Sequence, residues 1–193
     1  PAPFTLAAAQ AVTGASATSL HQLGAKGLLQ RGEANQYQMH NLLRHYSREK
    51  LAQQGSIAAL QASYTAYYGR LLQHIQPEMD TARQQEVLQT IRQILPHARQ
   101  VWQCGLDQAD VPLLSQIVTV LCRYFAINGL YHEAAGWLER TINRLDDPGI
   151  SQTPAANRLI MHCLTQHGAF LCGLAAYDTA VHVLSTALDK AQT

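Results

Sequence analysis

The chain is poor in charge. Asp, Glu, Lys and Arg make up 14% of its 193 residues, where globular domains carry about a quarter. Formal net charge is +1. Lys26, Arg31, Arg44, Arg48 and Lys50 slightly outweigh Glu33 and Glu49 near the N-terminus. That surplus is too small for a nucleic-acid surface. No apolar run approaches the roughly 20 residues that a membrane-crossing helix needs, which argues against a membrane partner. Cys104, Cys122, Cys163 and Cys172 are scattered through apolar helical stretches. With no framework spacing and no signal peptide they read as reduced core thiols of a cytoplasmic protein. No Gly-rich phosphate loop ending in Lys-Ser/Thr is present. Gly24-Ala25-Lys26-Gly27 lacks its spacing and its hydroxyl. No Ser-His-Asp or Cys-His order stands out either. Asp107, Asp110, Asp146 and Asp147 sit in turn-like segments, where Asp caps helices. The chain therefore reads as non-catalytic.

What is present is apolar residues, 47% of the total, at helical spacing. Phe4 to Val12 is Ala-rich and predicts a helix stopped by Gly14. Ser16 caps a second helix to about Lys26. Leu28–Arg31 and Asn35–Met39 flank Gly32-Glu33-Ala34 and predict a β-hairpin. A helix follows from about His40 to Gln54. Gly55-Ser56 breaks it and caps the next.

Ile57, Leu60, Tyr64, Tyr67, Tyr68, Leu71, Leu72 and Ile75 keep the three-four spacing of an amphipathic helix ended by Pro77. The tyrosines read as core, with one hydroxyl reaching a polar partner. A helix is expected from about Thr81 to Leu95. Pro96 would then open another that ends near Gly105.

Four further helices are expected: Pro112–Asn128, Tyr131–Leu145, Thr153–Cys172 and Ala175–Ala191. They form two helix-turn-helix pairs. Tyr131, Ala134 and Leu138 superpose on Tyr177, Ala180 and Leu184. Cys122 and Gly168 each fall nine residues before the tyrosine, at the position where a tetratricopeptide-like repeat needs a small residue. The tyrosines are 46 residues apart. The excess over the usual period of about 34 lies in the loop Asp146–Pro154. Two pairs are fewer than the roughly three repeats that stand alone, so the array is expected to continue beyond Thr193.

Several stretches, in order, resemble signal-transducing ATPases of the STAND or NB-ARC type, as found in bacterial signalling and transcription regulators. Phe4-Thr5-Leu6-Ala7-Ala8-Ala9 is similar to a helix of that family's winged-helix segment, and Leu28-Leu29-Gln30-Arg31 to its wing strand. Met39-His40-Asn41-Leu42-Leu43-Arg44 resembles its Met-His-Asp junction, with Asn41 in place of Asp. Tyr64-Tyr67-Tyr68, Pro96–Trp102 and Gly129–Ala134 resemble its helical linker and first repeat.

The resemblance implies a mostly α fold with three parts. These are the C-terminal part of a winged helix (1–54), a helical linker (55–106) and an α-α superhelix of tetratricopeptide-like pairs (107–193). It implies that His40 faces nucleotide phosphates in a full-length parent holding ATP or ADP upstream, and that this chain carries no cofactor itself. Asn41 can cap a helix but bears no charge, which puts charge-based switching there in doubt. The opening Pro1-Ala2-Pro3-Phe4, without Met, reads as the start of an excised piece. Partners are then the upstream ATPase module and a protein, peptide or small-molecule inducer on the repeats. A free-standing repeat adaptor and a winged-helix DNA-binding regulator are the alternatives. Arg44 and Arg48 share a helical face that could meet a phosphate backbone, although a solvated face explains them as well.

The first helices of the two pairs should line a concave face. Gln116, Thr119, Arg123, Asn157, Arg158 and Gln166 are its candidate partner-binding residues. No metal site is expected. His162 and His167 diverge by about 140° on a helix. Cys163 and His167 meet the spacing of four but are only two ligands, and Cys172 does not join them.

Overall fold

A computed structural model of the chain describes residues 2–32, 36–53, 57–147 and 153–192. It is mostly helical with one small antiparallel sheet. The expected hairpin turn at 33–35, the Gly55-Ser56 cap and most of the Asp146–Pro154 loop lie outside the described residues. Two compact units emerge: Pro1–Leu71 with Gln93–Val101, and Leu72–Arg92 with Trp102–Thr193.

The first unit holds β1 (Phe4–Thr5), α1 (Leu6–Thr13), α2 (Ala17–Ala25), β2 (Leu29–Arg31), β3 (Gln36–Met39), α3 (Asn41–Gln53) and most of α4 (Ile57–Ile75). The sheet order is β1-β3-β2, with Phe4 opposite Tyr37 and Leu29 opposite Met39. β1 corrects the expectation that helix begins at Phe4. Thr5 accepts the Ala8 N–H on its hydroxyl and so caps α1, which leaves Phe4 extended with its ring stacked on Tyr37. A threonine cap outweighs alanine propensity at that boundary. Gly14 closes α1 at φ 71° and Ser16 caps α2, as their residue types predict. Ala9, Leu20 and Leu29 form the small core here, with Phe4, Leu6, Leu23, Tyr37 and Met39 packed against it.

The second unit holds a 3-10 turn (Gln76–Asp80), parts of α5 (Gln84–Gln108), and α6 (Val111–Ile127), α7 (Tyr131–Leu145), α8 (Pro154–Gly173) and α9 (Tyr177–Gln192). α6 packs on α7 and α8, and α8 packs on α7 and α9. α5 corrects the two-helix reading, because it runs unbroken through Pro96. Pro96 is exposed, so water can meet the carbonyl it orphans. Buried Ile91, Leu95, Ala98, Val101 and Trp102 hold the helix on either side.

Gly105 is likewise no helix stop. Ala109 takes the left-handed C-terminal conformation at φ 51°. A Cβ on Gly105 would lie 2.8 Å from the buried Leu114 side chain, so this glycine lets α5 and α6 approach.

Trp102 is fully buried, and its indole N–H donates to Thr141 at 2.9 Å. Thr141 in turn donates to the Trp137 carbonyl. The Trp102 ring stacks near Trp137 and Phe125. Tyr131 of α7 packs closely against α8. A Cβ on Gly173 would lie 2.9 Å from the Tyr131 ring, and Tyr131 packs on Phe170. Gly168 meets Leu184 the same way, at 2.5 Å.

Two glycines in helices should respond oppositely to alanine. Gly136 in α7 has open space where a Cβ would go, so Gly136→Ala should stabilise by about 0.5–1 kcal/mol. Gly105→Ala should destabilise by about 1–2 kcal/mol, because the overlap with Leu114 exceeds the propensity gain. Urea melts of both variants check this. Equal shifts would contradict the packing.

Candidate functional site

An apolar cavity of ≈ 320 Å³ lies within the first unit. α1 contributes Ala8 and Ala9, α2 contributes Leu20 and Leu23, and the hairpin contributes Leu29 and Met39. Tyr64, Tyr68 and His97 also line it.

His97 is buried there, and both of its ring nitrogens are engaged. The Pro3 carbonyl, 3.0 Å from Nε2, can only accept, so Nε2 carries the proton. Nδ1 then accepts the Tyr64 hydroxyl at 2.9 Å. The Tyr68 ring lies nearly parallel to the imidazole, with 4.5 Å between centroids. Burial disfavours the imidazolium and pushes the His97 pKa below its ordinary value, partly opposed by the Pro3 hydrogen bond. Burial, with Tyr67 as a lesser cause, raises the Tyr68 pKa.

Of the three tyrosines read as core only Tyr68 is buried, while Tyr64 and Tyr67 are half-buried; the one hydroxyl expected on a polar partner is that of Tyr64. The sequence reading did not single out His97. Its only signal was a histidine among apolar helix positions three before Gln100 and five before Trp102.

His40 is exposed and immediately precedes α3. Its Nδ1 accepts the Leu42 N–H at 3.4 Å, so the imidazole serves as the helix-start partner. Asn41, read as a cap, is instead the first residue of α3. Arg44 is half-buried and Arg48 exposed on that helix.

In the second unit, Thr119 on α6 lies 3.3 Å from His162 Nε2 on α8. This contact joins the two first helices along one line. Arg158 and Gln166 flank His162 at four residues on either side, so the candidate face includes His162, which the sequence had raised only as a rejected metal ligand. Arg158, Asn157, Thr119 and Arg123 are exposed, and Gln116 and Gln166 are half-buried. Arg123 is engaged in a forked ion pair with Asp80, with Nη1 2.7 Å from Oδ2. Burial lowers the pKa of His162. It also lowers that of His167, where the Glu139 charge partly opposes it.

Among the described residues no three His, Cys, Asp or Glu side chains converge as metal ligands. Cys104, Cys122 and Cys163 are buried and in no disulfide, but Cys172 is exposed, which corrects its reading as core. Burial raises the Cys163 pKa to about 12, so this thiol stays protonated and inert. No described helix is long and apolar enough to cross a membrane.

A second surface stands out on α9. Tyr177, Val181, Leu184 and Leu188 are 64%, 65%, 39% and 60% exposed on one stripe. The residues 46 positions earlier are Tyr131, Ala135, Leu138 and Ile142 on α7. On α7 none of these four is exposed, and α8 packs against that helix. Ala134 and Ala180, the matched pair between them, are both buried.

No family model, no curated protein and no solved structure matches the chain.

The pH dependence of stability should reveal His97. Its folded pKa lies below the unfolded value of about 6.5, so the unfolded chain takes up the proton first as pH falls. The stabilising contribution is complete above about pH 6.5 and is lost as pH falls through the lower folded pKa. His97→Gln keeps a donor for Pro3 but does not titrate. Its loss of stability between about pH 7 and about pH 5 should be shallower than that of the parent chain. The slope should not vanish, since His162 and His167 remain. Urea midpoints across that range measure it, and parallel slopes would remove His97 from the acid response.

Proposed function

We propose that this chain is a non-catalytic regulatory module of a signal-transducing ATPase of the STAND type, acting in the cytoplasm. Its helical pairs receive a protein partner and pass that event to a nucleotide-binding module, which supplies ATP or ADP. The order of resembling segments, from Phe4-Thr5-Leu6 through Met39-His40-Asn41 to Gly129–Ala134, supports the reading. His40 lies exposed at a helix start, where the helix dipole favours a phosphate.

One observation carries the interaction part of the proposal. The α9 stripe repeats, at an offset of 46 residues, α7 positions that are not exposed, among them Tyr131, which lies against α8. Tyr131 settles over Gly173. Tyr177 occupies the equivalent position and is exposed. The surface suits an amphipathic helix that presents a small residue opposite Tyr177, the chemistry of α8. Aromatic anchors of this kind dominate binding energy at interfaces.

A labelled peptide of the α8 sequence, Pro154–Gly173, tests it in trans. The chain should bind the peptide. Val181→Glu with Leu188→Glu should weaken binding at least about tenfold, or about 1.4 kcal/mol, with the helical circular-dichroism signal kept. Fluorescence anisotropy reads the result. Undiminished binding in the double variant would refute the α9 surface.

The α6–α8 face is the second contact in this reading. Arg158 and Asn157 are open there, and Thr119 and His162 bridge the helices. Arg123→Glu with Arg158→Glu should abolish the response of the assembled ATPase to its partner. Because Arg123 also pairs with Asp80, Arg158→Glu alone should keep most of that loss. A normal response in both variants would exclude the face.

A further inference from the structure

We infer that the cavity of the first unit is a binding site for a small uncharged aromatic molecule, about the size of two fused rings. Size is the first ground. The cavity holds ≈ 320 Å³. Ligand pockets begin at about 300 Å³, and a dry apolar cavity of about 150 Å³ takes one benzene. The walls are the second ground. Ala8 and Ala9 leave the space open because they reach so little into it, while Leu20, Leu29 and Met39 supply carbon surface.

Polarity defines the ligand further. The imidazole lining the cavity has already committed Nε2 to Pro3 and Nδ1 to Tyr64. Among the described residues no Lys, Arg, Asp or Glu lines the wall. A charged ligand would shed its hydration and find no opposite charge among these lining side chains, so the wall disfavours carboxylates and amines. A neutral ring system loses little on leaving water and gains contact with the aliphatic walls. Met39 is an adaptable thioether wall that can shift to fit a flat ring.

The position of Met39 gives the ligand an effect on its surroundings. Met39 ends β3, and His40, whose Nδ1 holds the Leu42 N–H, follows it directly. A ring resting on Met39 restrains the β3–α3 junction from the cavity side. The inference concerns the first unit alone and does not depend on the partner surface of α9.

The test uses naphthalene and its charged analogue 2-naphthoate with the intact chain. Calorimetry and amide NMR shifts measure binding. Naphthalene should bind and shift the amides of Met39 and Leu42, and hydrogen exchange at Leu42 should slow. 2-Naphthoate should bind at least about tenfold more weakly, a difference of 1.4 kcal/mol. Ala9→Leu fills the space from within and should remove naphthalene binding without lowering the melting temperature. Val12→Phe, on the partly exposed wall, gives the same readout should Ala9→Leu fail to fold. Three results would overturn the inference: no naphthalene binding, equal binding of the two probes, or full binding in the filled variants.

Discussion

Burial of Trp102 is the constraint on which the helical part of this protein depends. An indole removed from water must still satisfy its N–H, because a buried unpaired donor costs about 1–3 kcal/mol. Thr141 meets that need and is itself fully buried. The pair can form only if α5 and α7 face each other at one angular setting. Phe125 on α6 then closes against the same ring. One tryptophan thus brings three helices to a common point. The hydrophobic gain drives the burial, and the hydrogen bond selects the orientation.

Close approach is the second theme of that unit. Gly105, Gly168 and Gly173 each stand where a Cβ would meet a neighbouring side chain at under 3 Å. None of the three takes a positive φ. They serve packing, while Ala109 and Ala175 take the left-handed conformations at φ 51° and φ 58°. Glycine serves as a left-handed stop elsewhere, at Gly14 and Gly129, but not at these three positions. Close approach also accounts for the repeat: Tyr131 lies over Gly173, and α9 offers the same aromatic, Tyr177, exposed.

The first unit is built differently. Its alanine-rich α1 and short sheet supply small side chains, so its core is small and leaves an apolar space beside it. Polar order there comes from His97, whose two nitrogens tie a backbone carbonyl and a tyrosine hydroxyl together. Desolvation keeps that imidazole neutral, and its tautomer follows from the Pro3 carbonyl. The cavity and the His40 junction lie next to each other through Met39, so a molecule in the one touches the chain leading to the other.

Much of this was legible in the residues. The three-four spacing of Leu60, Tyr64, Tyr67, Tyr68, Leu71 and Leu72 determines an amphipathic helix, because side chains recur every 3.6 residues. Ser16 and Gly14 determine their caps, and the tyrosine-to-tyrosine offset of 46 determines the helical pairs. These are local properties of backbone and side chain, set by neighbours within a few residues.

What the sequence could not determine is everything that depends on which distant groups meet. Pro96 predicts a helix break, yet buried residues on either side carry α5 through it. Gly105 predicts a stop, yet its role is set by Leu114. Arg123 reads as a partner-binding residue, yet Asp80 lies 43 positions away in sequence and holds it. His97 becomes a cavity wall only because Pro3, 94 residues earlier, reaches its ring. Local conformation follows from short-range sterics written in the chain, whereas partners, desolvation and empty space exist only once remote segments have packed.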